Sequence, residues 1–211
     1  MRVVSVNVGR LRTVAHQGRS VRTAIYKNPV TGSVRVGRLN LDGDGQADLR
    51  VHGGPDKAVY AYPSEHYAHW SRELAREFPW GQFGENLTVA GLIEDEVCIG
   101  DVFRVGAARL EVTQPRSPCF KLAMKMQVDD FVDRFGASLR TGFYLRVLDE
   151  GTVAAGAAIT REARGVGALS VREAFRLRHE PAPERSALQR ALTAPALSAS
   201  WRRAYEKRLE T

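Results

Sequence analysis

The sequence predicts a mainly β protein, in which a barrel-like β domain with a few helices is followed by a small C-terminal helical domain. Two observations lead to this fold class. The first 160 residues contain short apolar stretches separated by glycine-rich turns, which favours a barrel or sandwich over a parallel α/β sheet. After Gly165 and Gly167 the apolar residues recur at helical spacing. We therefore predict a β domain over residues 1–163 and a three-helix domain over residues 164–211.

The predicted strands are short runs of alternating, β-branched or aromatic residues. In chain order they cover residues 3–8, 34–39, 49–51, 59–62, 97–105, 110–113 and 143–148. Gly106 lies between two of these runs and predicts a hairpin turn there.

Helices interrupt the predicted strands at two places. Ser64 can cap a helix that ends before Pro79. A second helix is predicted to begin at Ser117 and Pro118, because serine is a good N-cap and proline is tolerated in the first turn. Another helix is predicted around residues 128–135.

The C-terminal segment predicts three helices. Ser170 and Glu173 form the capping-box pattern at the start of the first one. Leucines and then aromatic residues at helical spacing predict two more short helices, separated near Pro195.

Composition and charge limit the possible classes. The 211 residues are 44% hydrophobic and 26% charged, which excludes a disordered or fibrous chain. No apolar run approaches a membrane span and the first residues lack a signal-peptide pattern, so we expect a cytoplasmic protein. The net charge is +7, and residues 163–211 hold ten basic and five acidic residues. This basic tail is either a solvated helical face or a surface for an acidic partner.

Cys119 is the most informative single residue. It lies in the segment Gln-Pro-Arg-Ser-Pro-Cys-Phe-Lys, just beyond a predicted strand and in the first turn of the predicted helix. Free N–H groups at a helix start, together with Arg116 and Lys121, would favour the thiolate. A thiolate is a nucleophile or a soft metal ligand. Cys98, in contrast, lies within a predicted strand and is expected to be a buried core residue.

Two glycine-containing turns carry further candidate residues. His52, Gly53, Gly54 and Lys57 belong to a segment in which adjacent glycines can expose N–H groups to an anion. The segment around Glu85 and Asn86 follows another glycine and could direct a carboxylate and an amide into a pocket. By itself, each turn is as compatible with an ordinary charged loop.

Two other patterns carry less weight. The aspartates at 42, 44 and 48 suggest a calcium loop, but the sixth and twelfth positions lack the required glycine and glutamate. His66 and His69 lack a third metal ligand and are expected at the surface of the first helix.

Three segments together resemble the MOSC family. They are VHGGPDK at residues 51–57, GENL at 84–87 and QPRSPCFKL at 114–122. The chain is most similar to the bacterial 6-N-hydroxylaminopurine resistance (YiiM-type) proteins, in which a MOSC β-barrel precedes a three-helix domain. The likeness extends over nearly the whole chain.

The resemblance implies a molybdenum-cofactor-binding oxidoreductase that reduces N-hydroxylated base analogues to amines and so detoxifies them. It implies that Cys119 is the protein ligand to molybdenum. We expect His52 to supply protons, because imidazole titrates near neutral pH. The residues expected to bind the cofactor or position the substrate are Gly53, Gly54, Lys57, Glu85, Asn86, Arg116, Ser117 and Lys121.

Several functional alternatives stay open at this level. A carrier or delivery module for the cofactor would use the same cysteine and anion-binding loops without turnover. A nucleic-acid-binding role for the basic tail is disfavoured, because its acids are interspersed with its bases and no nucleic-acid motif is present. For an enzyme, electrons would come from a separate reductase, and Arg202 and Arg203 could receive it. The oligomeric state is open, a homodimer included.

Overall fold

The computed structural model describes residues 1–47 and 53–210. The strands of these residues are β1 Arg2–Val8, β2 Arg12–His16, β3 Arg19–Thr23, β4 Asn28–Pro29, β5 Val34–Val36, β6 Val59–Pro63, β7 Leu87–Ala90, β8 Val102–Val105, β9 Ala108–Pro115, β10 Phe143–Asp149, β11 Gly151–Val153 and β12 Ile159–Ala163. The helices are α1 Glu65–Leu74, α2 Phe120–Met126, α3 Phe131–Ala137, α4 Val171–His179, α5 Arg185–Leu192 and α6 Ala199–Glu210. A short 3-10 turn covers Pro55–Lys57.

Eight strands form one mixed sheet in the order β12-β8-β9-β10-β6-β7-β1-β4. Its strand pairs are antiparallel except for β6 and β7. The pairs β2-β3 and β5-β11 lie outside this sheet. The described residues therefore form a sheet-rich fold with six helices, as the sequence predicts in outline.

A closed barrel is not found in the described strand order, contrary to the sequence-based prediction. Strand β1 pairs with β4 only over Asn7 and Val8. At the other end of β1, Arg2 forms a single isolated bridge to Ala158. Strand β12 begins at the next residue, Ile159, and pairs with β8. Three further backbone hydrogen bonds join Met1 and Val3 to residues 156–159, so the contact between β1 and β12 is short and forms no regular ladder.

The C-terminal helices share an apolar core with the sheet. Their buried residues, including Phe175, Trp201 and Tyr205, belong to the same cluster as the inward-facing sheet residues. The Tyr205 hydroxyl donates to the Ala174 carbonyl at 2.6 Å, so its polar end is satisfied inside this core. At the start of α4, the Ser170 hydroxyl accepts from the Glu173 N–H at 3.0 Å, which confirms the predicted cap.

A second, aromatic cluster lies between β6 and the helices α1 to α3. Its fully buried members include Tyr62, Trp70, Phe83 and Phe135. The Trp70 indole N–H donates to the Tyr62 hydroxyl at 2.7 Å. These rings form a rigid backing for the segment that leads from β9 into α2.

Several predicted elements differ from the structure at their ends. The strand predicted over 97–105 begins only at Val102, because Cys98 to Asp101 form a turn in which the Asp101 carboxylate accepts from the Cys98 N–H at 3.1 Å. Helix α1 ends at Leu74, since Ala75 adopts a left-handed conformation well before Pro79. The strand predicted over 49–51 lies outside the described residues.

The placement of His66 corrects another sequence-based prediction. His66 is buried instead of exposed, and its Nε2 lies 2.7 Å from Oε2 of the fully buried Glu94. The partner comes from a loop remote in sequence, so helix periodicity alone could not identify it. Cys98 is buried as predicted, and both cysteines are free thiols. No helix in the described ranges is long and apolar enough to cross a membrane.

Candidate functional site

A cleft that is open to solvent lies at one face of the β domain. It is bounded by the segment after β3, the loop before residue 48, the 3-10 turn, the Gly84 turn and the entry to α2. The residues lining it are Thr23, Ala24, Ile25, Lys27, Asp44, Gly45, Gln46, Ala47, Lys57, Tyr60, Gly84, Asn86, Arg116, Cys119, Lys121 and Tyr144. Candidate residues from all three sequence motifs thus meet in one place.

Cys119 lies on the wall of this cleft and is partly exposed. Helix α2 begins at Phe120, so Cys119 is the N-cap with extended backbone and not, as predicted from Ser117 and Pro118, a first-turn residue. Two consecutive proline-containing dipeptides keep this segment extended and delay the helix. The consequence is a thiol presented at the junction of strand and helix.

Arg116 is a buried cation behind the thiol, with 5% of its surface exposed. Its Nη1 donates to the Phe83 carbonyl at 3.0 Å and lies 3.4 Å from the Tyr60 hydroxyl. Its guanidinium carbon also lies 4.9 Å from the centre of the Tyr60 ring. Within the described ranges no carboxylate forms an ion pair with it, so its charge is available to an anion in the cleft.

Lys27, Asp44 and Asn86 form a connected network among the cleft-lining residues. Lys27 makes a very short contact with Oδ1 of Asp44, which also accepts from the Gly9 N–H at 2.8 Å. The Asn86 amide donates to Oδ2 of Asp44 at 3.0 Å and accepts from the Tyr60 N–H at 3.1 Å. Burial lowers the pKa of Lys27, although Asp44 opposes this shift. These contacts hold the Asp44 carboxylate in place.

Lys57 and Lys121 supply two further cations at the cleft. Lys57 ends the 3-10 turn, and burial followed by the charge of Arg178 lowers its pKa. The Lys121 ammonium donates to the Arg22 carbonyl at 3.1 Å, which ties α2 to strand β3. With Lys27 and Arg116, four cations line the cleft, against one carboxylate that is already paired among the described lining residues.

Glu85 does not line the cleft, which corrects its predicted role at the cofactor. The side chain is fully buried and accepts hydrogen bonds from the Gly81 and Phe83 N–H groups at 2.9 and 3.1 Å. It also accepts from the hydroxyl of Thr88 at 2.8 Å and makes a very short hydrogen bond with Tyr67. Glu85 therefore fixes the turn that carries Asn86.

The turn itself requires glycine. Gly84 has φ +81°, and a Cβ there would approach Cγ1 of Ile25 to 2.8 Å. This close approach allows backbone to line the cleft beside Ile25. The glycine before the Glu-Asn pair thus has a packing reason as well as a conformational one.

The other predicted site residues have different outcomes. Gly53, Gly54 and Ser117 flank the cleft-lining segments but are not among the lining residues, and their cofactor contacts stay a prediction. Gly54 has φ +91° and precedes the 3-10 turn, which positions Lys57. His52 lies outside the described residues, and its predicted role in proton transfer stays a prediction.

Sequence reasoning missed several lining residues. In the sequence, Asp44 belongs only to the rejected calcium-loop pattern, and Lys27 belongs to no motif. Tyr60 and Tyr144 were assigned to strands for their apolar character. Their ring centres lie 5.2 Å apart, and burial raises the pKa of Tyr144 while Arg116 opposes the shift. Polar side chains near the ends of the predicted strands are the signal that could have identified these lining residues.

Lys125 lies on α2 and is also mostly buried. Its ammonium donates to the Ile25 carbonyl at 3.1 Å and to the Gly81 carbonyl at 2.6 Å. Burial lowers its pKa to about 7, with Glu85 opposing and Lys27 and Arg116 reinforcing the shift. Lys125 therefore joins the two backbone segments that form one side of the cleft.

Comparison with known proteins identifies the family. Residues 48–160 match the family model of the MOSC domain, and residues 169–211 match that of the YiiM-like, 3-alpha helix domain. The chain belongs to the MOSC family and is of the YiiM type. It is 41% identical to YiiM from Geobacillus stearothermophilus, whose crystal structure superposes with a TM-score of 0.85 and covers 99% of this chain and 98% of that one.

Two relatives of this MOSC protein extend the comparison. The uncharacterized protein YflK of Bacillus subtilis is 47% identical over 206 residues, covering 98% of this chain and 93% of YflK. A protein of Gibberella moniliformis named reductase is 34% identical over 162 residues. That match covers 75% of this chain but 28% of the fungal protein, which therefore carries much additional sequence.

MOSC domains are generally associated with molybdenum cofactor binding, and the cleft suits such a group. The cofactor is an anionic pterin with a phosphate, and it leaves molybdenum a position for a soft protein ligand. The described lining residues offer one thiol, Cys119, and four cations. The buried Arg116, which lacks a carboxylate partner among the described residues, is the observation that most directly fits an anion.

Proposed function

We propose that this protein holds the molybdenum cofactor through Cys119 and reduces N-hydroxylated substrates, such as hydroxylaminopurine, to amines. The observation that carries the proposal is the position of the Cys119 thiol in a cleft lined by Lys27, Lys57, Arg116 and Lys121. A thiolate is a suitable soft ligand for molybdenum, and the lining cations, which outnumber the one lining carboxylate, suit an anionic pterin phosphate.

The overall reaction is R–NHOH + 2 e⁻ + 2 H⁺ → R–NH₂ + H₂O. When bound, the cofactor supplies the two-electron redox chemistry of this conversion. The chain itself must bind the anion, orient the substrate and deliver protons. In this proposal Arg116 and Lys57 hold the phosphate, and the Asn86–Asp44–Lys27 network fixes part of the cleft lining. His52 and Lys27 are the proposed proton donors.

The rim of the cleft has a surface suited to a planar base. Phe120 directly follows Cys119 and is 53% exposed. Its ring stacks with that of His16, at a centroid distance of 6.4 Å. An exposed aromatic ring beside the metal ligand offers a stacking face for a purine, and base–aromatic stacking is worth about 1–3 kcal/mol. We propose that Phe120 contributes to substrate binding.

The first test measures molybdenum and pterin in protein purified from a cofactor-competent host. Wild type and Cys119→Ser are compared with Cys98→Ser, a matched control for the loss of a thiol away from the cleft. Mutating even the outer-shell partners of a metal ligand lowers metal affinity by about 10–100-fold. The molybdenum and pterin contents of Cys119→Ser should therefore be at least about tenfold lower than those of wild type. Equal contents in Cys119→Ser and wild type, after attempted reconstitution of both, would contradict the ligand assignment.

Turnover is tested next, with 6-hydroxylaminopurine and a small chemical reductant. Loaded wild-type protein should form the amine, and Cys98→Ser should do so at a similar rate. A protein that holds one cofactor per chain but forms no amine from any N-hydroxylated substrate would instead be a carrier or delivery module.

A further inference from the structure

Strands β2 and β3 form a hairpin beside the cleft mouth. This hairpin lies in a strongly basic part of the sequence. Residues 1–41 contain eight basic residues and no acidic residue, although the whole chain holds 24 acids. Four of the eight, Arg10, Arg12, Arg19 and Arg22, lie in this hairpin or directly before it, and all four are exposed. They concentrate positive charge at one place on the surface.

The hairpin has one covered and one open face. Paired residues of an antiparallel ladder point to the same side, so Val14 and Val21 share a face with Thr23, and these three are half-buried or buried. The opposite face carries Thr13, Ala15, Ser20 and Arg22, which are all exposed. Arg12 and Arg19 lie on the first side, at the two ends of the hairpin, and are exposed there. The open face is therefore polar, and the exposed arginines on it and at the hairpin ends make the hairpin basic and available to a partner.

Contacts fix the hairpin next to the proposed site. Lys121, a residue of the cleft, donates to the Arg22 carbonyl, and His16 stacks on Phe120. Thr23, the last residue of β3, lines the cleft itself. A protein bound to the hairpin would thus lie at the mouth of the cleft that contains Cys119.

The four exposed arginines have no carboxylate partner in the part of the chain that the structure describes. No ion pair between Arg10, Arg12, Arg19 or Arg22 and a carboxylate is formed within residues 1–47 and 53–210. Arg12 instead lies over the Tyr26 ring at 3.5 Å from its centre. The surface charge of the tail differs, because Arg202 donates to the Leu192 and Ala194 carbonyls at the end of α5 and so contributes to the fold.

We propose that this basic hairpin is the docking surface for an acidic electron-transfer protein. The inference rests on the proposed reductase function, which requires two electrons from outside the described chain. Redox proteins meet their partners through small, transient interfaces, in which complementary charge accelerates association. Placing that charge at the cleft mouth brings the donor near the site where electrons are used.

The test compares three double variants after thermal melting has shown that each is folded. Arg19→Glu/Arg22→Glu reverses the hairpin charge, and Arg19→Lys/Arg22→Lys preserves it. Arg203→Glu/Lys207→Glu makes the same change of charge on α6, where both residues are exposed and neither lines the cleft. Each variant is assayed with a flavodoxin as acidic protein donor and, separately, with a small chemical reductant.

Charge reversal in the hairpin should raise KM for flavodoxin by about tenfold or more at low salt, because steering by complementary charge is lost. The lysine variant and the α6 variant should keep wild-type KM. Turnover with the chemical reductant should be equal in all four proteins. Raising the salt concentration should bring the wild type and the hairpin variant closer together, because salt screens exposed charges.

Two results would overturn the docking proposal. One is an unchanged KM for flavodoxin in the hairpin charge-reversal variant, with chemical turnover intact. The other is binding of DNA or RNA oligonucleotides, but not flavodoxin, that is lost on charge reversal. Absent turnover with every reductant would contradict the proposed function instead. In that case, calorimetric titration of flavodoxin into wild type and the variants still decides whether the hairpin binds an acidic redox protein.

Discussion

The Tyr60 hydroxyl donates to the Thr141 carbonyl at 2.8 Å and faces Nη1 of Arg116 at 3.4 Å. This geometry connects strand β6 with the segment that leads to Cys119. The buried guanidinium of Arg116 is thus held by the Tyr60 hydroxyl and the Phe83 carbonyl instead of by a carboxylate. Such a cation is costly to bury alone, and the cost is reduced when an anion binds beside it.

Replacing Arg116 should therefore separate stability from cofactor binding. We expect Arg116→Lys to lower pterin retention by about tenfold or more, because lysine lacks the planar, two-pronged donor geometry that phosphate favours. The melting temperature of the cofactor-free protein should also fall, because the guanidinium donates to the Phe83 carbonyl, so pterin retention is compared at a temperature at which both proteins are folded. Pterin content and thermal melting check the two parts. Wild-type pterin retention in Arg116→Lys would show that this guanidinium does not contact the cofactor.

Glu85 should matter for folding more than for chemistry. Glu85→Ala removes a buried acceptor of four hydrogen bonds and leaves the Gly81 and Phe83 N–H groups unsatisfied. Because each unsatisfied buried group costs about 1–3 kcal/mol, we expect the free energy of unfolding to fall by at least about 2 kcal/mol. Urea denaturation measures this loss. A fully stable Glu85→Ala protein that has lost turnover would instead assign Glu85 a direct role in the reaction.

Lys125 should make stability depend on pH. Its folded-state pKa is lowered to about 7, so above that pH the unfolded chain binds a proton that the folded chain does not. Stability should then rise with pH from about 7 towards the ordinary lysine value near 10.4, by at most about 1.4 kcal/mol per pH unit from this group. Below pH 7 the contribution should level off.

Lys125→Met is the matched variant for this measurement. Urea unfolding of wild type and variant between about pH 7 and 9.5 should show a shallower slope for the variant, since its side chain does not titrate. Parallel pH profiles for the two proteins would mean that the Lys125 ammonium is not destabilised by burial. The substitution also removes the two hydrogen bonds to the Ile25 and Gly81 carbonyls. That loss changes the free energy of unfolding by the same amount at each pH, so it does not affect the slope against pH.

Phe120 offers a test of the substrate face. Phe120→Ala should raise KM for 6-hydroxylaminopurine by about fivefold to a hundredfold, since one stacking contact contributes about 1–3 kcal/mol. The stability of the fold should be nearly unchanged, because the side chain is 53% exposed. Leu39→Ala is the control, since Leu39 is 54% exposed and does not line the cleft. An equal KM in Phe120→Ala and wild type would remove Phe120 from the substrate site.

Local patterns in the sequence determined much of the molecule. Alternation predicted strands such as β1 and β10, helical spacing predicted the three C-terminal helices, and Ser170 with Glu173 predicted a cap that the structure confirms. These features depend on residues close together in the chain. The segment carrying Arg116, Cys119 and Lys121 was recognised for the same reason, because its chemistry lies in nine consecutive residues.

Only the tertiary structure decided which candidate residues face the cleft. It turned Glu85 inward and paired His66 with Glu94, 28 residues away. It also brought Asp44 to Asn86, which are 42 residues apart. Side-chain direction at a turn follows from such distant contacts. Barrel closure depends on contacts at the start of β1, where the structure forms one bridge and three backbone hydrogen bonds but no regular ladder. The spacing of residues in the sequence predicts local secondary structure, because that depends on neighbours in the chain. Burial and charge pairing depend on residues that only folding brings together.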